Sequence, residues 1–62
     1  MNEKLKDVLR VAYSEFTQVQ LRLKMMKFLM DNGASVDERE LDKLLIRFSN
    51  LKKLIDELEK QL

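Results

Sequence analysis

Apolar residues recur in two stretches of the chain, each time at alternating intervals of four and three residues. The first stretch carries Leu5, Leu9, Ala12, Phe16, Val19, Leu23, Met26 and Met30. The second carries Leu41, Leu44, Phe48, Leu51, Ile55, Leu58 and Leu62. This heptad spacing is typical of helices that pack against each other along one narrow seam. No Pro interrupts either stretch, so the pattern predicts two long helices, over residues 2–31 and 36–61.

The segment between the two stretches holds the only Gly of the chain. Asn32-Gly33 supplies a residue suited to the left-handed conformation in which many helices end. Ser35, followed three residues later by Glu38, fits a capping box, in which the two side chains each accept a hydrogen bond from a free backbone N–H. We therefore expect a turn over residues 32–35.

The two seams fit one antiparallel register. In a hairpin, residues that face each other have numbers with a constant sum, and a sum of 67 pairs the seams throughout. Phe16 then meets Leu51, Val19 meets Phe48, and the midpoint falls beside Gly33. The predicted fold class is all-α, with residues 1–62 forming one domain, an antiparallel two-helix hairpin that resembles a coiled coil.

Other apolar residues flank the seam, at positions that a lone hairpin would leave in water. They are Val8, Tyr13, Leu29, Leu45 and Leu54. A chain of 62 residues buries only about 60% of its unfolded surface, so domains of this size often need a partner. We predict a homodimer in which these residues pair two hairpins into a four-helix bundle. A heteromeric partner and a marginally stable monomer are the alternatives.

The charges balance, with 12 basic and 11 acidic residues and a net charge of +1. This balance gives no general attraction to nucleic acid or to an anionic membrane. The chain has neither Cys nor His, which excludes disulfides, thiolate zinc sites and His-based catalysis within it. We expect no cofactor. Because the sequence shows no signal-peptide pattern and no membrane-spanning apolar run, we expect a cytoplasmic protein without membrane contact.

Two charged clusters suggest binding chemistry but have a simpler interpretation. Glu38 and Asp42 lie one helical turn apart, a spacing that suits Mg²⁺, yet acidic residues also stabilise a helix N-terminus. Arg22, Lys24 and Lys27 could form a basic segment for RNA, but no aromatic stacking platform accompanies them. Rop-like plasmid-copy-number dimers are small helical hairpins that bind RNA, and this chain resembles them only in size and architecture. We expect no metal site, and RNA is an alternative to the predicted partner, a protein.

Residues 22–33 and 40–48 together resemble a bacterial family. They read Arg-Leu-Lys-Met-Met-Lys-Phe-Leu-Met-Asp-Asn-Gly and Glu-Leu-Asp-Lys-Leu-Leu-Ile-Arg-Phe. They are similar to the small sporulation-regulator aspartyl-phosphate phosphatases of endospore-forming bacteria, whose signature is Ser-Gln-Glu-Leu-Asp followed by x-Leu-Leu or x-Leu-Ile. Glu38 and Arg39 stand where that signature has Ser and Gln. The resemblance implies that Glu40 and Asp42 approach the phospho-aspartate of a response regulator.

The last feature is an apolar belt near the turn, which the seam does not need. This turn belt consists of Leu21, Met25, Phe28 and Ile46. Apolar side chains all round a helix usually mean burial against something else, and Met suits an adaptable surface. We therefore predict a small non-enzymatic regulator or adaptor that binds a protein through its helix faces. A response-regulator phosphatase is the alternative, and the hairpin co-chaperones of type III secretion are similar in length and turn.

Overall fold

The computed structural model describes residues 3–62, which form two helices joined by a short turn. Helix α1 spans Glu3–Asp31 and helix α2 spans Glu38–Lys60. The helices pack against each other as an antiparallel hairpin, and no strand occurs among the described residues. The prediction of an all-α two-helix hairpin is therefore confirmed. The predicted first helical residue, Asn2, lies outside the described residues.

The core is a line of side chains between the two helices. Its buried residues all belong to the predicted seam: Leu5, Leu9, Ala12, Val19, Met26, Leu44, Leu51 and Ile55. Further seam residues are half-buried beside them: Phe16, Leu23, Leu41, Phe48 and Leu58. No polar side chain is buried within residues 3–62, so the removal of apolar surface from water is the main force that holds the helices together.

The seam ends before its predicted extremities. Met30 is 43% exposed, because α2 has not yet begun opposite it. Leu62 is 68% exposed, because it follows the last residue of α2. These two residues were expected to fill the seam and are instead surface residues.

An aromatic pair marks the middle of the seam. The rings of Phe16 and Phe48 stack with centroids 4.7 Å apart and planes inclined by 27°. The predicted register places Phe16 opposite Leu51 and Phe48 opposite Val19. The stacking adds a contact that the register does not name, because the Phe16 ring extends into the neighbouring layer while both rings pack against the core cluster of Val19 and Leu51.

Helix α1 ends in a Schellman motif. Gly33 has φ = +82°, the left-handed conformation that its lack of a Cβ permits, so the prediction for this residue is confirmed. The Gly33 N–H donates to the Met30 carbonyl at 3.0 Å, and the Ala34 N–H donates to the Leu29 carbonyl at 2.9 Å. These two bonds satisfy carbonyls that the end of the helix would otherwise leave free.

Asn32 makes further hydrogen bonds to the same helix end. Its side-chain Nδ2 donates to the Phe28 carbonyl at 2.7 Å. Its backbone N–H donates to the Phe28 and Leu29 carbonyls, each at 3.1 Å. Both amide groups of Asn32 are therefore engaged by the last turn of α1.

The start of α2 differs from the prediction. Asp37, not Ser35, is the N-cap, with an extended backbone at φ −73° and ψ 114°. Its carboxylate accepts a hydrogen bond from the Arg39 N–H at 2.9 Å, and its carbonyl accepts the first helical bond from Leu41 at 3.0 Å. The predicted capping box of Ser35 and Glu38, and the predicted helix start at residue 36, are wrong.

Val36 supplies the physical reason for the later start. This residue precedes the N-cap and packs, half-buried, against the same core cluster as Leu41. An apolar residue before the cap and another at the fourth helical position form a hydrophobic staple, which fixes where the chain enters the helix. A helix that began at Val36 itself would lose this arrangement.

The hairpin is long and thin, with Cα extents of 49 × 14 × 13 Å. A two-helix layer of this kind leaves every side of both helices except the seam open. Neither helix, over the described residues, contains a stretch long and apolar enough to cross a membrane.

Candidate functional site

One side of the hairpin carries six of the twelve exposed large apolar residues of the described chain, and we call it the apolar flank. Its residues are Val8, Val11, Glu15, Arg22, Met25 and Leu29 from α1, and Glu40, Lys43, Ile46, Arg47 and Leu54 from α2. Near the chain ends, Val8, Val11 and Leu54 line one groove together with Glu15. Near the turn, Met25 and Leu29 line another.

Two ion pairs cross the seam in the middle of the apolar flank. The Arg22 Nη2 donates to the Glu40 Oε1 at 2.9 Å, and the Arg47 Nη2 lies 3.4 Å from the Glu15 Oε2. Glu15 and Arg22 stand one heptad apart on α1, and Glu40 and Arg47 stand one heptad apart on α2. Because the helices run in opposite directions, the signs alternate both along each helix and across the seam.

The opposite side, which we call the tyrosine flank, is mostly polar. Tyr13 lines a shallow groove there with Lys52, Asp56 and Glu59, and its hydroxyl donates to the Glu59 Oε2 at 2.7 Å. This hydrogen bond raises the pKa of Tyr13 above its usual 10.0, with smaller contributions from desolvation and from the nearby carboxylates. Leu45 stands one heptad before Lys52 and so belongs to this flank.

The five residues predicted for a dimer interface are all exposed, but the two flanks divide them. Val8, Leu29 and Leu54 lie on the apolar flank, and Tyr13 and Leu45 lie on the tyrosine flank. Their exposed fractions lie between 39% for Leu29 and 49% for Leu45. One flat partner cannot cover both flanks at once, so the prediction of a single interface becomes a choice between two.

The turn belt is exposed as well, although the structure does not gather it into one groove. Leu21, Met25, Phe28 and Ile46 are each more than 60% exposed. Met25 lines a groove with Leu29 near the turn, whereas Ile46 lines a different groove with Leu54. Ile46 is therefore better described as part of the apolar flank than as a neighbour of Leu21.

The residues that the phosphatase resemblance singles out do not converge. Glu40 and Asp42 are two positions apart on α2, and residues at that spacing point to different sides of a helix. The Glu40 carboxylate accepts a hydrogen bond from Arg22, while Asp42 is exposed. The arrangement presents two separate carboxylates rather than a shared site.

The basic segment is partly neutralised by ion pairs. Arg22 contacts Glu40, and Lys27 contacts Asp31 at 3.0 Å, so two of the three cations of the basic segment have acidic neighbours. Within residues 3–62 no group of three or more acidic side chains is close enough together to hold a metal ion.

Glu15, Arg47 and Val11 are the flank residues that sequence reasoning missed. The signal for the two charged residues was present, since oppositely charged residues beside a heptad seam pair across antiparallel helices. Val11 carried no such signal, because its position two residues from Leu9 places it outside the seam and its immediate borders. Only the groove that it shares with Val8 and Leu54 shows where it points.

No family model, curated protein or solved structure matches this chain.

Proposed function

We propose that this hairpin is a small non-enzymatic regulator or adaptor that acts by binding proteins through its exposed helix faces. The observation that carries the proposal is the amount of large apolar surface left in water. Twelve large apolar residues of the described chain are at least 39% exposed, against seven large apolar residues that are buried. This much large apolar surface left in water is typical of proteins that bind other proteins.

Two kinds of partner fit this surface. A second copy of the chain would cover one flank and complete a four-helix bundle, which supplies the core that a single two-helix layer lacks. A different protein would bind near the turn, where Met25 and Phe28 project from α1 and are 65% and 64% exposed. A cytoplasmic location suits both partners and belongs to the same proposal.

We call the exposed face around Met25 and Phe28 the turn surface. Its test is a double variant, Met25→Ser with Phe28→Ser. Neither side chain belongs to the seam, so circular dichroism should show almost unchanged helicity. We expect affinity capture from a lysate of the source organism to lose the proteins that the wild-type chain retains, because the variant loses its largest apolar contacts near the turn.

A control removes apolar surface on the opposite flank. The double variant Tyr13→Ser with Leu45→Ser changes two exposed residues on the tyrosine flank and should retain the same captured proteins. Equal capture by wild type and both double variants would refute the proposed turn surface. Loss of helicity in the Met25→Ser, Phe28→Ser variant would mean that these residues support the fold.

A further inference from the structure

We infer that the apolar flank is the surface through which two copies of this chain pair, with α1 of each copy lying over α2 of the other. The inference rests on the proposed protein-binding function and specifies its homodimer. Three features of the flank support it: its apolar content, its charge pattern and its area. The position of Lys43 then distinguishes between two possible arrangements of the two copies.

The apolar content distinguishes the two flanks. The apolar flank exposes Val8, Val11, Met25, Leu29, Ile46 and Leu54, whereas the tyrosine flank exposes Tyr13 and Leu45. The hydrophobic gain from covering a face grows with the apolar area that leaves the water. A second hairpin therefore gains more by covering the apolar flank.

The charge pattern makes the apolar flank complementary to itself. Glu15 lies beside Arg47, and one heptad nearer the turn Arg22 lies beside Glu40. The four charges therefore alternate in sign both along each helix and between the helices. A two-fold axis parallel to the helices places Glu15 over Arg47 of the second copy, and Arg22 over Glu40. Each of these four charges then meets its opposite, and an isologous interface of this kind needs no partner other than the chain itself.

The area of the flank matches a second copy. Its face extends over 49 by 14 Å, which is about 700 Å² before side chains are counted. Stable protein–protein interfaces bury about 800 Å² on each partner. A stable dimer therefore needs contact along nearly the whole face, which a second hairpin of the same length provides.

A second two-fold arrangement, with α1 over α1, also matches the four charges, but it fits the rest of the flank less well. It would set Lys43, which lines the apolar flank beside Ile46 and Arg47, next to Lys43 of the second copy. It would also place Leu54 over the turn, where α2 has not begun. The arrangement with α1 over α2 separates the lysines and sets Leu54 over Val8 of the second copy.

The first experiment compares two leucines of α2 by sedimentation equilibrium over a range of protein concentrations. Leu54 and Leu45 are 44% and 49% exposed and lie on opposite flanks. We expect a dimer for the wild-type chain, at least a tenfold weaker dimer for Leu54→Lys, and an unchanged dimer for Leu45→Lys. A wild-type chain that stays monomeric would overturn the inference but leave the turn surface of the proposed function standing. A dimer weakened by Leu45→Lys alone would assign it to the tyrosine flank.

The second experiment tests the arrangement with an exchanged pair, Glu15→Arg with Arg47→Glu. This variant keeps an ion pair across the seam but gives α1 two arginines and α2 two glutamates on this flank. With α1 over α2 the charges still match, so we expect the dimer to persist. Loss of the dimer would show that α1 lies over α1 and overturn the inferred arrangement.

The exchanged pair also keeps the inference testable if the Leu54→Lys variant does not fold. Both changed side chains are about half exposed and leave the buried seam intact. If Leu54→Lys loses its helices, a dimeric exchanged pair and a dimeric Leu45→Lys variant still support the inference. A monomeric exchanged pair still contradicts it.

Discussion

Asp37 holds the start of α2 through one side-chain oxygen. We expect Asp37→Ala to lower the free energy of unfolding by about 1 kcal/mol, because the Arg39 N–H loses its acceptor. Asp37→Asn should retain most of the stability, because its amide oxygen can accept the same bond. Urea unfolding at a fixed protein concentration measures both effects.

Ser35→Ala is the control for this prediction. Ser35 is exposed and lies outside the helix, and the N-cap of α2 is Asp37, so we expect little change in the urea midpoint. A loss as large as that of Asp37→Ala would show that the helix starts at Ser35 in solution.

The cap also shows where a local motif is ambiguous. The capping-box spacing occurs twice here, in Ser35 with Glu38 and in Asp37 with Glu40. The spacing alone therefore does not tell which residue is the N-cap. The choice depends on the tertiary contact of Val36 with the core, which a local pattern does not contain.

At the scale of the helices, the Tyr13–Glu59 hydrogen bond joins α1 to α2 on the tyrosine flank. Folding raises the pKa of Tyr13 above 10.0, chiefly because the neutral hydroxyl donates to Glu59. The bond therefore contributes stability that is fully present below pH 10 and is lost as the pH rises through the pKa of the folded state. We expect Tyr13→Phe to be less stable than wild type at neutral pH and to match it at strongly alkaline pH.

Urea midpoints of the two proteins, measured at a series of pH values, check this expectation. Changes that affect both proteins equally, such as the loss of lysine charge at high pH, cancel in the difference. A difference that stayed constant across the alkaline range would mean that the hydroxyl makes no pH-sensitive bond in solution.

The helix pairing could be predicted from the sequence because apolar residues at heptad spacing leave only one seam for burial. Val19, Met26 and Ile55 are buried as that seam requires. The offset of Phe16 onto Phe48 could not be predicted, because a register gives the level of each side chain and not the direction in which a large ring extends.

At the scale of the whole molecule, the candidate surface could be predicted only in part. The sequence identified exposed apolar residues such as Val8 and Leu54, because they lie beside the seam. The heptad positions also imply the two flanks, since antiparallel packing sends Val8, Leu29 and Leu54 to one side of the seam and Tyr13 and Leu45 to the other. The directions of Val11 and Ile46, which do not border the seam, depend on how both helices are rotated about their axes and could not be predicted. The structure shows the rotation through cross-helix contacts, with Glu15 and Arg47 on one side and Tyr13 and Glu59 on the other.

The hydrogen bonds at the end of α1 also bear on the chemical lifetime of the molecule. In an Asn-Gly sequence, the Gly nitrogen can attack the Asn side-chain carbonyl, which releases ammonia and leaves an acidic residue after hydrolysis. Here the Gly33 N–H is engaged by the Met30 carbonyl and the Asn32 side chain by the Phe28 carbonyl, so both reacting groups must first leave the helix end. We expect mass spectrometry to detect deamidation of Asn32 much faster in urea than in the native state, and equal rates would contradict this. Deamidation of Asn32 would take the net charge of a molecule from +1 to zero, so the fraction of uncharged molecules would increase with the age of a preparation.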